Sequence, residues 1–243
     1  MLKNHLKIAC RNLVKGKSFS ILNIAGLAIG MAGTALILLW LQNEISFDKF
    51  HTNKDNIYQV YGLTASTDAP ASTINEVSQP LGPALKQNFP EVEAQTRVRD
   101  INSFLFTANG KSFTNIRGSV VDPSFLSMFD FPLAEGNKDE QLKNVYSIVI
   151  TQKLAEKVFG KEDAIGKVIR IDSVDNFTVT GILNDLPANT RFNFEYLLPW
   201  DYLRKLGRAY VNDSWLSNNT PTFVQLKSHT NVAAFNEKIK NIT

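Results

Sequence analysis

Apolar residues run without a charged one from Phe19 to Leu41, and shorter alternating and amphipathic stretches then follow to the end of the chain. The first pattern predicts one long helix. Its 23 residues, at 1.5 Å rise each, reach roughly 34 Å and so cross a ~30 Å hydrocarbon core. Gly26, Gly30 and Gly33 share a stripe of this helix, where small side chains admit close approach of another helix. Ahead of the span, Leu2, Leu6, Ala9 and Leu13 recur at spacings of three and four, with Lys3, Lys7 and Arg11 on another face. That spacing predicts a short amphipathic helix lying in the inner-leaflet interface; the plainer alternative is a charged flank that only sets topology.

Behind the span, Leu41 to Phe50 contains neither Gly nor Pro. Ile45 follows Leu41 by four residues and Phe50 follows Phe47 by three, spacings that keep surfaces aligned if the helix continues past the membrane. Trp40, Phe47 and Phe50 also suit a headgroup-level aromatic belt. Ile57 to Tyr61 reads as a strand, and Thr64 to Asn75, small and polar, as a loop. Pro80 to Phe89 fits a short helix, residues 92–99 and 101–107 fit strands, and Asn109-Gly110 marks a hairpin turn. Asp122 is placed to cap a helical turn at Pro123-Ser124-Phe125.

A second strand–helix unit follows. Ser147 to Thr151 is β-branched, and Gln152 to Phe159 turns Leu154, Ala155, Val158 and Phe159 to one side before Gly160 stops the helix. Ile169 and Ile171, then Phe177 and Val179, alternate with polar residues. Residues 192–198 and 221–227 read as strands, and Asn231 caps a final helix to about Ile239. Strands mixed with short helices, without a strict βαβ repeat, predict an α+β fold.

Charge orients the span. Lys3, Lys7, Arg11, Lys15 and Lys17 precede it with no acidic residue among them, whereas Glu44 and Asp48 follow it. Positive flanks stay inside, so the N-terminus is expected in the cytoplasm and residues 44–243 outside. The apolar run is too long for a signal-peptide core, and no small-x-small cleavage pattern follows it. Net charge is only +3, which the basic flank more than accounts for, so no basic field points to nucleic acid. The single cysteine, Cys10, precedes the span, so the outer part is expected to hold together without disulfides.

Catalytic patterns are missing. Gly16-Lys17-Ser18 has Arg11 where a phosphate loop needs its first glycine, and the 160–167 stretch GKEDAIGK has one residue too many and then Val168. His5, His51 and His229 are far apart in sequence, no nucleophile elbow occurs, and Asp139-Glu140 sits in a polar loop. No catalytic, cofactor-binding or metal-ligating residue is expected.

Several blocks nonetheless carry a resemblance: LNIAGLAIGMA in the span, EISFDKFHTNKDNIYQV behind it, DPSFLSMFDFPLAEG, and VITQKLAEKVFGKEDAIGKVIRID followed by FTVTGILNDLP. In this order they resemble the MacB/FtsX-like ABC transporter permeases of Bacteroidetes type, from residue 1 to about residue 200. The resemblance implies a cytoplasmic juxtamembrane helix (1–17), a transmembrane helix (18–43) and a two-lobed periplasmic core domain (44–243). One lobe, porter-like, would comprise about 52–120 and 186–243, with a smaller inserted lobe at about 121–185. It further implies a non-catalytic permease of the bacterial inner membrane. Its expected partners are a cytoplasmic ABC ATPase that binds the ATP, a second permease subunit, membrane lipid, and a periplasmic adaptor or a substrate lipoprotein or peptide. Such permeases have further spans, so the chain is expected to be the N-terminal portion of a longer one. Glu44, Ile45, Phe47, Asp48 and Phe50 would then form a stiff segment passing motion from span to outer domain. The alternative is a single-pass anchored binding or sensor protein, in which this segment is only a headgroup-level anchor.

Overall fold

The structure is a computed structural model that describes residues 15–66, 69–137, 141–207, 214–240 and 242, together with residues 4, 5, 7, 8 and 11. The chain divides into two compact units, Met1–Phe47 and Asp48–Thr243. In the first, helix α1 spans Lys17–Ile45 and buries none of its residues, as a helix apolar on every side must when nothing but lipid is meant to cover it. It is long and apolar enough to cross a membrane. Of the amphipathic stretch at 2–15, residues 4, 5, 7, 8, 11 and 15 are helical. Leu2, Lys3, Leu6, Ala9 and Leu13 lie outside the described residues.

The second unit is built on an eleven-stranded mixed sheet in the order β1-β15-β5-β8-β13-β10-β12-β11-β6-β7, with β9 (Leu133–Gly136) also paired to β12. At its centre β10 (Ser147–Thr151) pairs in parallel with β12 (Asp175–Leu183), and β8 (Gly118–Val121) in parallel with β13 (Tyr196–Pro199). The remaining pairs are antiparallel, including β11 (Val168–Ile171) with β12 and β6 (Phe106–Ala108) with β7 (Lys111–Phe113). The turn between β6 and β7 places Asn109 at φ 50° and Gly110 at φ 72°, the double left-handed turn that the Asn-Gly pair favours. Every residue of β10 is buried, which fits a central strand covered on both faces.

Helix α4 (Gln152–Phe159) follows β10 directly. Its first turn is capped by the Thr151 hydroxyl, which accepts from the Leu154 amide, and it ends at Gly160 with φ 68°. Leu154, Val158 and Phe159 join a core with Ile148, Ile150 and Phe177. The 160–167 stretch is a turn in which Lys167 pairs with Glu162, so its lysine is already neutralised. Tyr196 shows how tightly this core closes. Its hydroxyl donates to the Ile101 carbonyl at 2.9 Å, and its ring fills the space where a Cβ on Gly118 would stand.

Strand β5 (Val92–Ile101) joins two parts of the sheet. Its first half pairs with β15 (Thr222–Leu226) and its second, from Val98, with β8. At the changeover the buried Arg97 guanidinium grips Asp122 with Nε at 2.9 Å and Nη2 at 2.6 Å, while the Arg97 amide also donates to that carboxylate at 2.8 Å. The guanidinium lies 4.2 Å from the centre of the Trp200 ring. Asp122 therefore spends its carboxylate on Arg97 and not on a helix cap; its backbone carbonyl accepts from the Phe125 amide at 3.0 Å.

The sheet does not divide at residues 121 and 185. Strands β6 and β13, which fall outside that interval, bond to β11 and β10 within it. Strands β1 (Ile57–Val60), β15 and the first half of β5 pair side by side at one end of this sheet. Within Thr64 to Asn75, expected as a loop, the chain is paired instead: β2 (Gly62–Ser66) runs antiparallel to β3 (Ala69–Ile74). Their composition gives no period-two apolar signal, so only the backbone ladder reveals the pairing.

Candidate functional site: the segment behind the apolar helix

Gly26, Gly30 and Gly33 lie on α1 with nothing within 4 Å of a Cβ built on any of them, so the stripe is open for another helix. Glu44 and Ile45 are in its last turn and exposed. The helix does not run on to Phe50. It stops at Ile45, where the Ser46 hydroxyl donates to the Asn43 carbonyl at 2.8 Å and the Ser46 amide to the Gln42 and Asn43 carbonyls at 3.1 Å. Residues 46–50 are a turn in which Asp48 takes φ 54°, a conformation that a short polar side chain tolerates better than most. Spacing could not show this break, because it needs neither Gly nor Pro and is fixed by partners distant in sequence.

Those partners hold residues 48–52 closely. The Asp48 amide donates to the Asn189 carbonyl at 2.9 Å. Its carboxylate accepts from the Thr190 hydroxyl at 2.6 Å and the Arg191 amide at 3.2 Å. Two residues on, Phe50 sets its ring 5.8 Å from that of Phe131. His51 is buried between the Phe129 and Phe131 rings, each 5.2 Å away. The Asp130 amide donates to His51 Nδ1 at 3.1 Å, and the Thr52 amide donates to the Asp130 carboxylate at 2.7 Å. With Nδ1 accepting, the ring proton belongs on Nε2, which faces Asp48 Oδ1 at 3.9 Å. Burial pushes the His51 pKa below its ordinary value, against the opposing pull of Asp48 and Asp130, so the neutral ring is the one that fits.

The rings behind this clip form one aromatic core. Phe125, Phe129, Phe131, Phe192, Phe194 and Phe223 pack together with centroids 4.8–6.0 Å apart, spacings at which edge-to-face pairs add to simple burial. Arg191 extends the clip to β1 by donating from Nη2 to Gln59 Oε1 at 2.8 Å. Phe47 is 40% exposed and Phe50 36% exposed. Asp48 and Phe50 are thus brought into one site, joined by His51, Asp130, Thr190 and Arg191, which sequence reasoning missed. The only forward signal was the density of Phe in FLSMFDF and RFNF.

The chemistry of this arrangement is mechanical: it fixes a backbone entry point through charge-assisted hydrogen bonds and ring packing. Among the described residues no group of three or more His, Cys, Asp or Glu is placed to hold a metal ion.

An apolar helix long enough to span a bilayer, followed in the chain by an α+β domain, is the make-up of a membrane-anchored protein. The sequence profile of the MacB-like periplasmic core domain matches residues 20–242, and the chain belongs to that family. It is 22% identical over 218 residues to the uncharacterized ABC transporter permease YvrN of Bacillus subtilis (strain 168), a match covering 83% of this chain and 52% of that protein. The chain thus spans about half the length of that curated relative. A crystal structure of a domain of a Porphyromonas gingivalis protein described as a permease is 24% identical with a TM-score of 0.65, covering 79% of this chain and 81% of the other. The periplasmic region of MacB from Actinobacillus actinomycetemcomitans is 15% identical with a TM-score of 0.56, covering 77% and 82%. At these identities the solved structures establish the fold, and that fold is the MacB-like periplasmic one.

Proposed function

We propose that this chain is the N-terminal part of a non-catalytic ABC permease subunit whose outer domain is driven through the segment behind α1. A separate cytoplasmic ATPase binds and hydrolyses the ATP, a second permease subunit packs on the Gly26, Gly30 and Gly33 stripe, and the cycle changes the outer domain's conformation. The output is export, lipoprotein release or envelope signalling. The N-terminus is cytoplasmic, α1 crosses the inner membrane, and the domain is periplasmic.

The observation that carries this reading is the clamp on residues 48–52, with Asp48 bonded to Asn189, Thr190 and Arg191 and His51 to Asp130. A slack linker would absorb displacement. Here α1 is followed within two residues of its C-cap by groups fixed in the domain. A merely tethered domain needs no such clamp. In the full permease reconstituted with its ATPase, hydrogen exchange of the 48–52 and 189–192 amides is expected to differ between the nucleotide-free and vanadate-trapped states. Identical exchange in both states refutes the proposal.

A further inference from the structure

The His51 ring is enclosed on every side. It is 3% exposed, with the Phe50 ring centred 4.0 Å away and those of Phe129 and Phe131 each 5.2 Å away. Nδ1 accepts from the Asp130 amide at 3.1 Å. Nε2 has no hydrogen-bond partner and stands 3.9 Å from Asp48 Oδ1. A neutral imidazole with its proton on Nε2 satisfies this geometry. A second proton has to go to Nδ1, and an N–H there points at the N–H of Asp130. Two donors then face each other among phenylalanine rings, and the backbone amide cannot give up its proton. The bond is lost, and a buried donor without an acceptor is costly.

The surrounding charges do not rescue an imidazolium in place. Two carboxylates face the ring, Asp48 from its own turn and Asp130 from the segment behind helix α3 (Phe125–Met128). Asp48 Oδ1 is engaged by the Thr190 hydroxyl and the Arg191 amide, and Asp130 Oδ2 by the Thr52 amide. Each carboxylate has to leave those donors to reach the ring. The 189–192 segment brings the Arg191 cation, whose guanidinium donates to Gln59. Lys54, whose amide bonds the His51 carbonyl at 3.2 Å, pairs its ammonium with Asp55 at 3.3 Å. Burial outweighs the pull of both carboxylates and lowers the pKa of the ring from its ordinary 6.5.

We propose that His51 is an acid-operated latch: protonation breaks its bond to Asp130 and frees residues 50–52 from the 129–131 segment. The open segment binds the proton with the ordinary histidine affinity and the latched one binds it more weakly. The latch is therefore fully closed above pH 6.5 and opens progressively below it. Opening rises about tenfold for each unit by which the latched pKa is lowered. The functional consequence rests on reading residues 48–52 as the transmitting segment of a permease whose outer domain lies outside the inner membrane, where external acid reaches the ring. On that reading acid uncouples the outer domain and leaves the ATPase free to turn over.

Hydrogen exchange on the full-length permease in detergent, without ATPase, tests the latch apart from coupling. Rates are taken as protection relative to intrinsic exchange at each pH, from about 7.5 down to about 5, which stays above the ordinary carboxylate range near 4. Peptides covering 48–54 and 127–132 are expected to lose protection at least ~5-fold across that range, with β10 and β12 unchanged. In His51→Asn, which has no ring to protonate, protection is expected to be constant. Constant protection in the wild type overturns the proposal whether or not the variant folds. A gain of protection in acid also overturns it, because the imidazolium then pairs with Asp48 in place. So does an equal loss in His51→Asn, which assigns the titration to the carboxylates. If the segment opens in acid while the permease's output is unchanged, the latch stands and transmission through residues 48–52 fails.

Discussion

Asp48→Ala is the sharpest test of the clamp. The Asp48 carboxylate accepts two hydrogen bonds, from the Thr190 hydroxyl at 2.6 Å and the Arg191 amide at 3.2 Å. Bonds to a charged acceptor contribute about 1.5–3 kcal/mol each when well buried. The Asp48 side chain is 26% exposed, so screening brings the pair to about 2 kcal/mol in total. Alanine at φ 54° adds about 1 kcal/mol, because its Cβ meets the following carbonyl without a compensating polar contact. The sum, about 3 kcal/mol, raises the population of the locally opened state roughly 100-fold. Asp48→Asn keeps a neutral acceptor and tolerates the left-handed backbone, so its cost is about 1 kcal/mol, near 5-fold. Hydrogen exchange read by mass spectrometry should show this acceleration in peptides covering 46–53 and 187–193, with β10 and β12 unchanged. Unaltered exchange in Asp48→Ala, or an asparagine variant as damaged as the alanine one, would refute the reasoning.

Other outcomes follow from the same contacts. Because burial holds the His51 pKa below 6.5, the unfolded chain takes up more protons there, so His51's share of stability is complete above pH 6.5 and lost progressively below it. Denaturant midpoints from pH 7.5 to 5 should fall, and His51→Asn, which still offers an acceptor to the Asp130 amide, should flatten that slope near pH 6. Arg97→Met leaves the Asp122 carboxylate buried without its cation and should cost about 3–5 kcal/mol in urea unfolding, while the double variant with Asp122→Leu should recover most of the loss. In spheroplasts, protease added outside should digest residues 48–243 and leave a protected fragment of roughly 5 kDa; a protected full-length band would reverse the orientation.

What the sequence revealed was local. The apolar helix announced itself by composition, the Asn109-Gly110 turn by its two residues, α4 by its one-sided apolar residues and the Gly160 stop, and the final helix (Val232–Ile239) by its cap at Asn231. What it hid was set by distance along the chain. Asp48 meets Thr190 and Arg191 across 142 and 143 residues, and His51 meets Asp130 across 79; no spacing rule reaches that far. Asp122 looked like a cap because its neighbours, Pro123 and Ser124, suit a helix start, but the cation that claims it comes from β5. The continuation of α1 to Phe50 failed for the same reason. Favourable i to i+4 spacings contribute only tenths of a kcal/mol, less than the hydrogen bonds that turn the chain at Asp48.

The proposed transmission can be broken at one point without touching either unit's interior. Inserting Gly-Gly-Ser after Ser46 in the full permease separates the helix cap at Ser46 from the clamp at Asp48, leaving both sets of hydrogen bonds available. Assembly with the ATPase and ATP hydrolysis should stay near wild type while the permease's cellular output is abolished. An insertion variant that keeps full output would contradict transmission through this segment and leave the outer domain as a passive binding module.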